Sequence, residues 1–245
     1  MPIIATRVLA VVFALWWLFP GFGIIDLTEV LNPGLNVMLE VGWGLFFSVL
    51  VAVPFVAIAL RPHRALSAAV QLTMASLALA LAAVISLEWQ ALVLSGVVAG
   101  QALLCAIPKG RERLRRPLRA VHWPLLASVV VALPGWLVYI LTMSELNRQE
   151  LTSADYTMGV DHYSVQAALA FALALLSLLC AVWPRVRIMA GLSSGVTAAC
   201  LGIVSLGWPI ARAAMSQPWS ILVIVWAALF SVLAVTSNEP GRLGE

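Results

Sequence analysis

The chain has 245 residues, of which 62% are hydrophobic and only 10% charged, and a mean hydropathy of +1.02. Soluble domains run near a quarter charged, so this balance excludes an ordinary water-soluble protein and places most of the chain in lipid. Fourteen basic and eleven acidic residues leave a formal charge of +3; topology accounts for that excess, and no nucleic-acid partner is needed to explain it.

Read from the N-terminus, Arg7 precedes an apolar run that continues through Trp16, Trp17 and Phe19 to Ile25. No small-residue cleavage pattern follows, so the run is a retained span and not a signal peptide. A crossing helix needs about 20 apolar residues. On that length the spans are expected at 8–25, 38–60, 66–87, 89–107, 121–143, 163–183, 188–208 and 217–236. Trp89, Trp123, Trp183, Trp208 and Trp219 fall at span ends, where interfacial aromatic anchors belong.

The charges test that count. With the N-terminus inside, the inner segments hold Arg7, Arg61, Arg64, the run from Lys109 to Arg119, Arg185, Arg187 and Arg242, against Arg148 and Arg212 outside. The outer segments hold Asp26, Glu29, Glu40, Glu88, Glu145, Glu150, Asp155 and Asp161. Cytoplasmic loops are rich in Lys and Arg, so the expected protein is an all-α integral membrane protein of about eight transmembrane helices with both termini cytoplasmic. The plasma membrane is its expected location, and the high Ala, Leu, Val and Arg usage points to a GC-rich bacterial genome.

The second half resembles a degraded copy of the first. Arg61-Pro62-His63-Arg64 corresponds to Pro184-Arg185-Val186-Arg187, Ile85-Ser86-Leu87-Glu88-Trp89 to Val204-Ser205-Leu206-Gly207-Trp208, and Pro20-Gly21-Phe22 to Pro134-Gly135-Trp136, each Pro-Gly pair being followed by an acidic outer loop. Self-similarity in fixed order signals internal repeats. Four spans per half is even, so the halves are expected as two parallel four-helix repeats related by an axis along the membrane normal. The resulting division is 1–108 for the first half, 109–119 for a basic cytoplasmic linker and 120–245 for the second half.

Proline within a spanning helix removes a donor and frees a carbonyl, and adjacent glycine admits a close neighbour. Gly/Pro-interrupted helices at matching places in two repeats mark the binding site of many transporters. Pro20, Gly21, Pro134 and Gly135 are therefore candidate binding residues, with Gln71 and Gln166 as polar groups inside the spans; the competing reading is structural kinking and interhelical hydrogen bonding. Ser193, Ser194, Thr197 and Gln101 complete the polar set within the spans. No acid or base stands at a clear midplane position, which argues against a proton-relay pump or a charged ion filter.

Gly191-Leu192-Ser193-Ser194-Gly195 has the G-x-S-x-G form, but its serine has no histidine downstream and the nearest, His162, lies near a span end. The same residues, like Gly96 and Gly100, have the G-x-x-x-G spacing of close helix packing. Asp155, Asp161 and His162 form an outer-face polar cluster in which a bound divalent cation or a titrating histidine is the functional alternative to ordinary topology. No metal-ligand spacing is recognisable there, so no metal site, catalytic residue or cofactor is assigned. Cys105, Cys180 and Cys200 lie in apolar segments and read as small packing residues.

The expected function is that of a multi-pass membrane protein handling a small or lipidic, largely uncharged solute between its two halves. The alternative is a non-catalytic subunit or scaffold that binds a membrane or cytoplasmic protein partner through the basic linker. A membrane enzyme at the outer face, working through Asp161 and His162, is the third reading; the balance leans away from an enzyme.

Overall fold

The computed structural model describes residues 3–62, 65–106, 121–149 and 156–237. Helices dominate, as a lipid solvent requires: without water, the backbone groups of a span must bond within the helix. In chain order they are α1 (Ile3–Leu18), α2 (Gly23–Leu27), α3 (Val37–Leu45), α4 (Val53–Leu60), α5 (Leu66–Ser86), α6 (Trp89–Ala106), α7 (Trp123–Arg148), α8 (His162–Val182), α9 (Arg187–Gly207) and α10 (Gln217–Thr236). A two-residue antiparallel ladder, β1 (Tyr156–Thr157) with β2 (Val160–Asp161), leads into α8.

Among the described residues, six helical stretches are long and apolar enough to cross a membrane, and a seventh if α1 and the segment Gly23–Leu31 count as one span bent by 47°. The helix Trp89–Cys105 is apolar but shorter. The described residues are thus predominantly helical, with six or seven helices of membrane-crossing character among them, each falling within or overlapping a span expected from hydropathy. The expected linker, 109–119, lies outside the described residues.

Two helices depart from regularity, and proline is the reason in both. α1 stops before Pro20, whose ring cannot continue the turn; the Gly21 N–H closes on Trp16 O at 2.7 Å and Phe22 adopts a left-handed φ of 61°. The span Val37–Leu60 is continuous but widens into a π-helix over Phe46–Ala52, just before Pro54. Pro54 lacks the N–H that would serve Leu50 four residues earlier. The Gln71 amide on α5 supplies donors instead, to Val49 O at 3.2 Å and Leu50 O at 3.5 Å.

The ends of the helices sort onto two faces. On one face Arg212 donates to Leu35 O and Asn36 Oδ1, Asn147 donates to Ser86 O and Arg148 to Ile85 O. On the other, the His122 N–H meets Ala181 O, and the buried Arg187 guanidinium caps two helix ends through Cys180 O at 3.0 Å and Ser237 O at 3.2 Å. These are the groupings that the alternation of charge implies, called here the acidic face and the basic face.

Small residues set the closest approaches. Methyl groups added at Gly191 and Gly195 would overlap Ala234 and Ser231 of α10, so this G-x-x-x-G is a packing surface and Ser193 donates to Gln71 Oε1, not to a histidine. Gly96 and Gly100 differ: nothing of the described chain lies within 4 Å of their added methyls. Ser76 and Ser95 bond reciprocally, each hydroxyl to the other's carbonyl, locking α5 to α6. Trp17, Trp43 and Trp136 are buried, while Trp89, Trp123 and Trp219 stand exposed at helix starts, as membrane-interface anchors do.

Candidate functional site

Two places combine chemistry with shape. The first is a buried cluster at the acidic face. The break at Pro20-Gly21-Phe22 bends the following segment by 47° and Asp26 on α2 is buried at 4% exposure. Glu40 comes from the first turn of α3 and His162 from the start of α8, where it is wholly buried. One ligand atom from each of Asp26, Glu40 and His162 lies within 4.8 Å of the others, and His162 Nδ1 stands 3.7 Å from Glu40 Oε2.

The imidazole is held from two sides. Trp43 stacks on it with ring centroids 4.8 Å apart, and the Trp43 indole N–H is itself tied to Gly21 O at 2.9 Å. On the far edge, His162 Nε2 is 2.8 Å from Thr157 Oγ1 of the β-hairpin. The tautomer that donates Nε2–H to the threonine leaves a lone pair on Nδ1, the atom facing Glu40. Deeper along the same face of α8, Gln166 Nε2 donates to Tyr139 OH at 2.7 Å, and that hydroxyl donates to Ala213 O.

The second place is a groove of about 580 Å³ between α7 and α10. Val131, Gly135, Trp136, Tyr139, Trp219 and Trp226 are among its walls. These helices are the least enclosed of the spans, with 22% of each window buried, so the groove opens on the apolar outer surface. Trp136 is only 4% exposed, and its indole N–H has no acceptor among the described residues. Trp226 stacks on Phe230, meets Trp136 edge-on and spends its own N–H on Ser128 O.

The expected binding residues are thus separated. Pro20 and Gly21 form the helix break that carries Asp26 into the first cluster. Pro134 and Gly135 sit inside an uninterrupted α7, and Gly135 lines the groove. The two prolines therefore act differently: one ends a helix and the other is absorbed in a long one. Gln71 and Gln166 are buried between helices of the two halves, joined to Ser193 and Tyr139. Asp161 caps α8, its Oδ1 accepting the Tyr163 N–H at 2.8 Å, while Asp155 lies outside the described residues.

Sequence patterning grouped His162 with Asp161 and missed Asp26, Glu40 and Trp43. The absence of any ligand spacing was uninformative here, because the three residues come from three elements. Comparison of the chain with known protein families, with curated proteins and with solved structures returns no match.

Proposed function

We propose that the protein is an eight-span membrane protein of two parallel four-helix repeats that binds an uncharged lipidic molecule in the groove between α7 and α10. The carrying observation is the groove itself: about 580 Å³, aromatic-walled and open on a lipid-facing surface, within the size range of ligand sites. The buried Trp136 N–H adds one polar requirement. A buried donor without a partner costs about 1–3 kcal/mol, so an occupant with one acceptor oxygen on an apolar chain fits better than a plain hydrocarbon.

The repeat reading rests on the ordered motif matches between the halves, and the halves meet closely along the proposed axis: Gln71 and Ser193 are hydrogen-bonded at 3.0 Å, and His162 Nδ1 lies 3.7 Å from Glu40 Oε2. The sorting of helix ends onto two faces favours α1 and α6 as crossings too.

Close packing along this axis leaves the solute reading its best place in the α7–α10 groove and not between the halves. The same packing favours the second reading, a scaffold whose membrane part is only a platform. A diazirine-bearing fatty acid separates them. If the groove is a site, photolabel concentrates on α7 and α10 peptides, Gly135→Leu removes it, and Trp136→Phe weakens it several-fold. Uniform labelling around the bundle, unchanged by Gly135→Leu, would overturn the lipid reading in favour of the scaffold.

A further inference from the structure

The cluster at the acidic face has the composition and support of a metal centre. One imidazole nitrogen and two carboxylate oxygens are borderline-to-hard donors suited to zinc or manganese. Three protein donors with a coordination position left for water is the pattern of an open, not a closed, zinc site. The donor atoms lie within 4.8 Å of one another. Bonds of about 2.0–2.2 Å to a common ion require small inward movements of the three side chains.

Independent features point the same way. A metal-bound histidine is typically oriented by a hydrogen bond at its other nitrogen. Thr157 holds Nε2 of His162 in that manner, on the side away from Glu40. Stacking on Trp43 fixes the ring plane, and Trp43 is anchored to the carbonyl of Gly21, in the turn that positions Asp26. Asp26 and His162 are nearly or wholly buried and Glu40 is half-buried. Two carboxylates beside one imidazole are a donor set that a divalent cation takes.

We propose that Asp26, Glu40 and His162 bind one divalent transition-metal ion, zinc or manganese, which clamps the first half of the protein to the second. Asp26 and Glu40 belong to the first half and His162 to the second, so the ion bridges the seam at its acidic end. The inference is independent of the lipid reading: neither the groove nor Trp136 takes part.

The test uses the full chain, tag-free, in detergent, stripped with chelator and titrated separately with Zn²⁺ and Mn²⁺. Expected are one tightly held ion per chain by elemental analysis, a melting temperature raised by that ion, and visible d–d bands of N/O-ligated Co²⁺ as a substitute probe. Asp26→Asn, Glu40→Gln and His162→Gln should each weaken binding by more than about 100-fold, and Thr157→Val by about 10-fold, as outer-shell partners do. His122→Gln, at the basic face, should bind as the parent does. Failure of the parent chain to hold either metal overturns the proposal whatever the variants do. Equal binding by the parent, Asp26→Asn and His162→Gln also overturns it, since the ion then sits elsewhere.

Discussion

Gly42 offers a sharp test of the seam, because steric overlap and helix propensity predict opposite signs. On propensity alone, Gly→Ala inside a helix stabilises by about 1 kcal/mol. A methyl at Gly42, however, would overlap the Gln166 side-chain oxygen and lie 2.6 Å from its amide carbon. Gln166 is wholly buried and its Nε2 is committed to Tyr139, so it cannot swing aside without losing that bond. Overpacking costs about 1–3 kcal/mol and the hydrogen bond about 1 kcal/mol, which outweighs the propensity gain. Gly42→Ala should therefore destabilise by about 1–3 kcal/mol. In a Gln166→Ala background the overlap is gone, and the same substitution should be neutral or stabilising, giving a coupling of about 1–4 kcal/mol. Thermal unfolding of the four proteins in one detergent measures the cycle. Gly42→Ala at or above parental stability, or an equal effect in both backgrounds, would refute the packing argument.

Three further outcomes follow from named contacts. Gln71→Leu leaves the π-helix carbonyls of Val49 and Leu50 and the Ser193 hydroxyl without their partner; it should lower stability by about 1–3 kcal/mol, and adding Pro54→Ala, which restores a backbone donor, should recover part of it. Arg187→Met removes the donors to Cys180 O and Ser237 O and should loosen the end of α10, seen as faster amide exchange around Ala234 to Ser237, whereas exchange in α5 stays unchanged. Burial lowers the pKa of His122, with the Arg187 guanidinium adding to the effect, and its neutral Nδ1 accepts the Leu125 N–H at 3.3 Å. The depressed pKa means that this stabilisation is present above the ordinary value of about 6.5 and is lost as pH falls through the lowered folded value. Melting temperature should fall over that acid window in the parent and less steeply in His122→Asn; identical slopes would remove the argument.

The sequence by itself determined the solvent, the helices and their ends. Apolar run length and the segregation of Arg from Asp and Glu are local properties, readable without knowing any contact. Trp89, Trp123 and Trp219 were legible as exposed span-end residues for the same reason, whereas Trp183 and Trp208, expected likewise, are partly buried and Trp208 packs against the core. The positions of α3 through α10 follow, with errors of a few residues where caps or loops extend a helix, as at the end of α7. Proline was visible as an interruption at Pro20, but whether it bends a helix or ends it depends on what receives the chain afterwards; here the Trp43 indole holds Gly21 O. Gln71 was legible as a buried amide needing partners, yet its acceptors proved to be the carbonyls beside Pro54 on a neighbouring helix.

Only tertiary structure decided the partners. In spans apolar on nearly every side, the pattern of residues does not say which face turns inward, so helix rotation is set by close approaches such as Gly42 against Gln166. Asp26, Glu40 and His162 come from three elements and meet because one helix breaks and two others pack across the seam. Membership of such a cluster is a property of rotation and pairing, which linear spacing does not encode. The groove between α7 and α10 likewise is lined from two lightly buried helices with large aromatic side chains, a matter of how neighbours pack and not of either sequence alone.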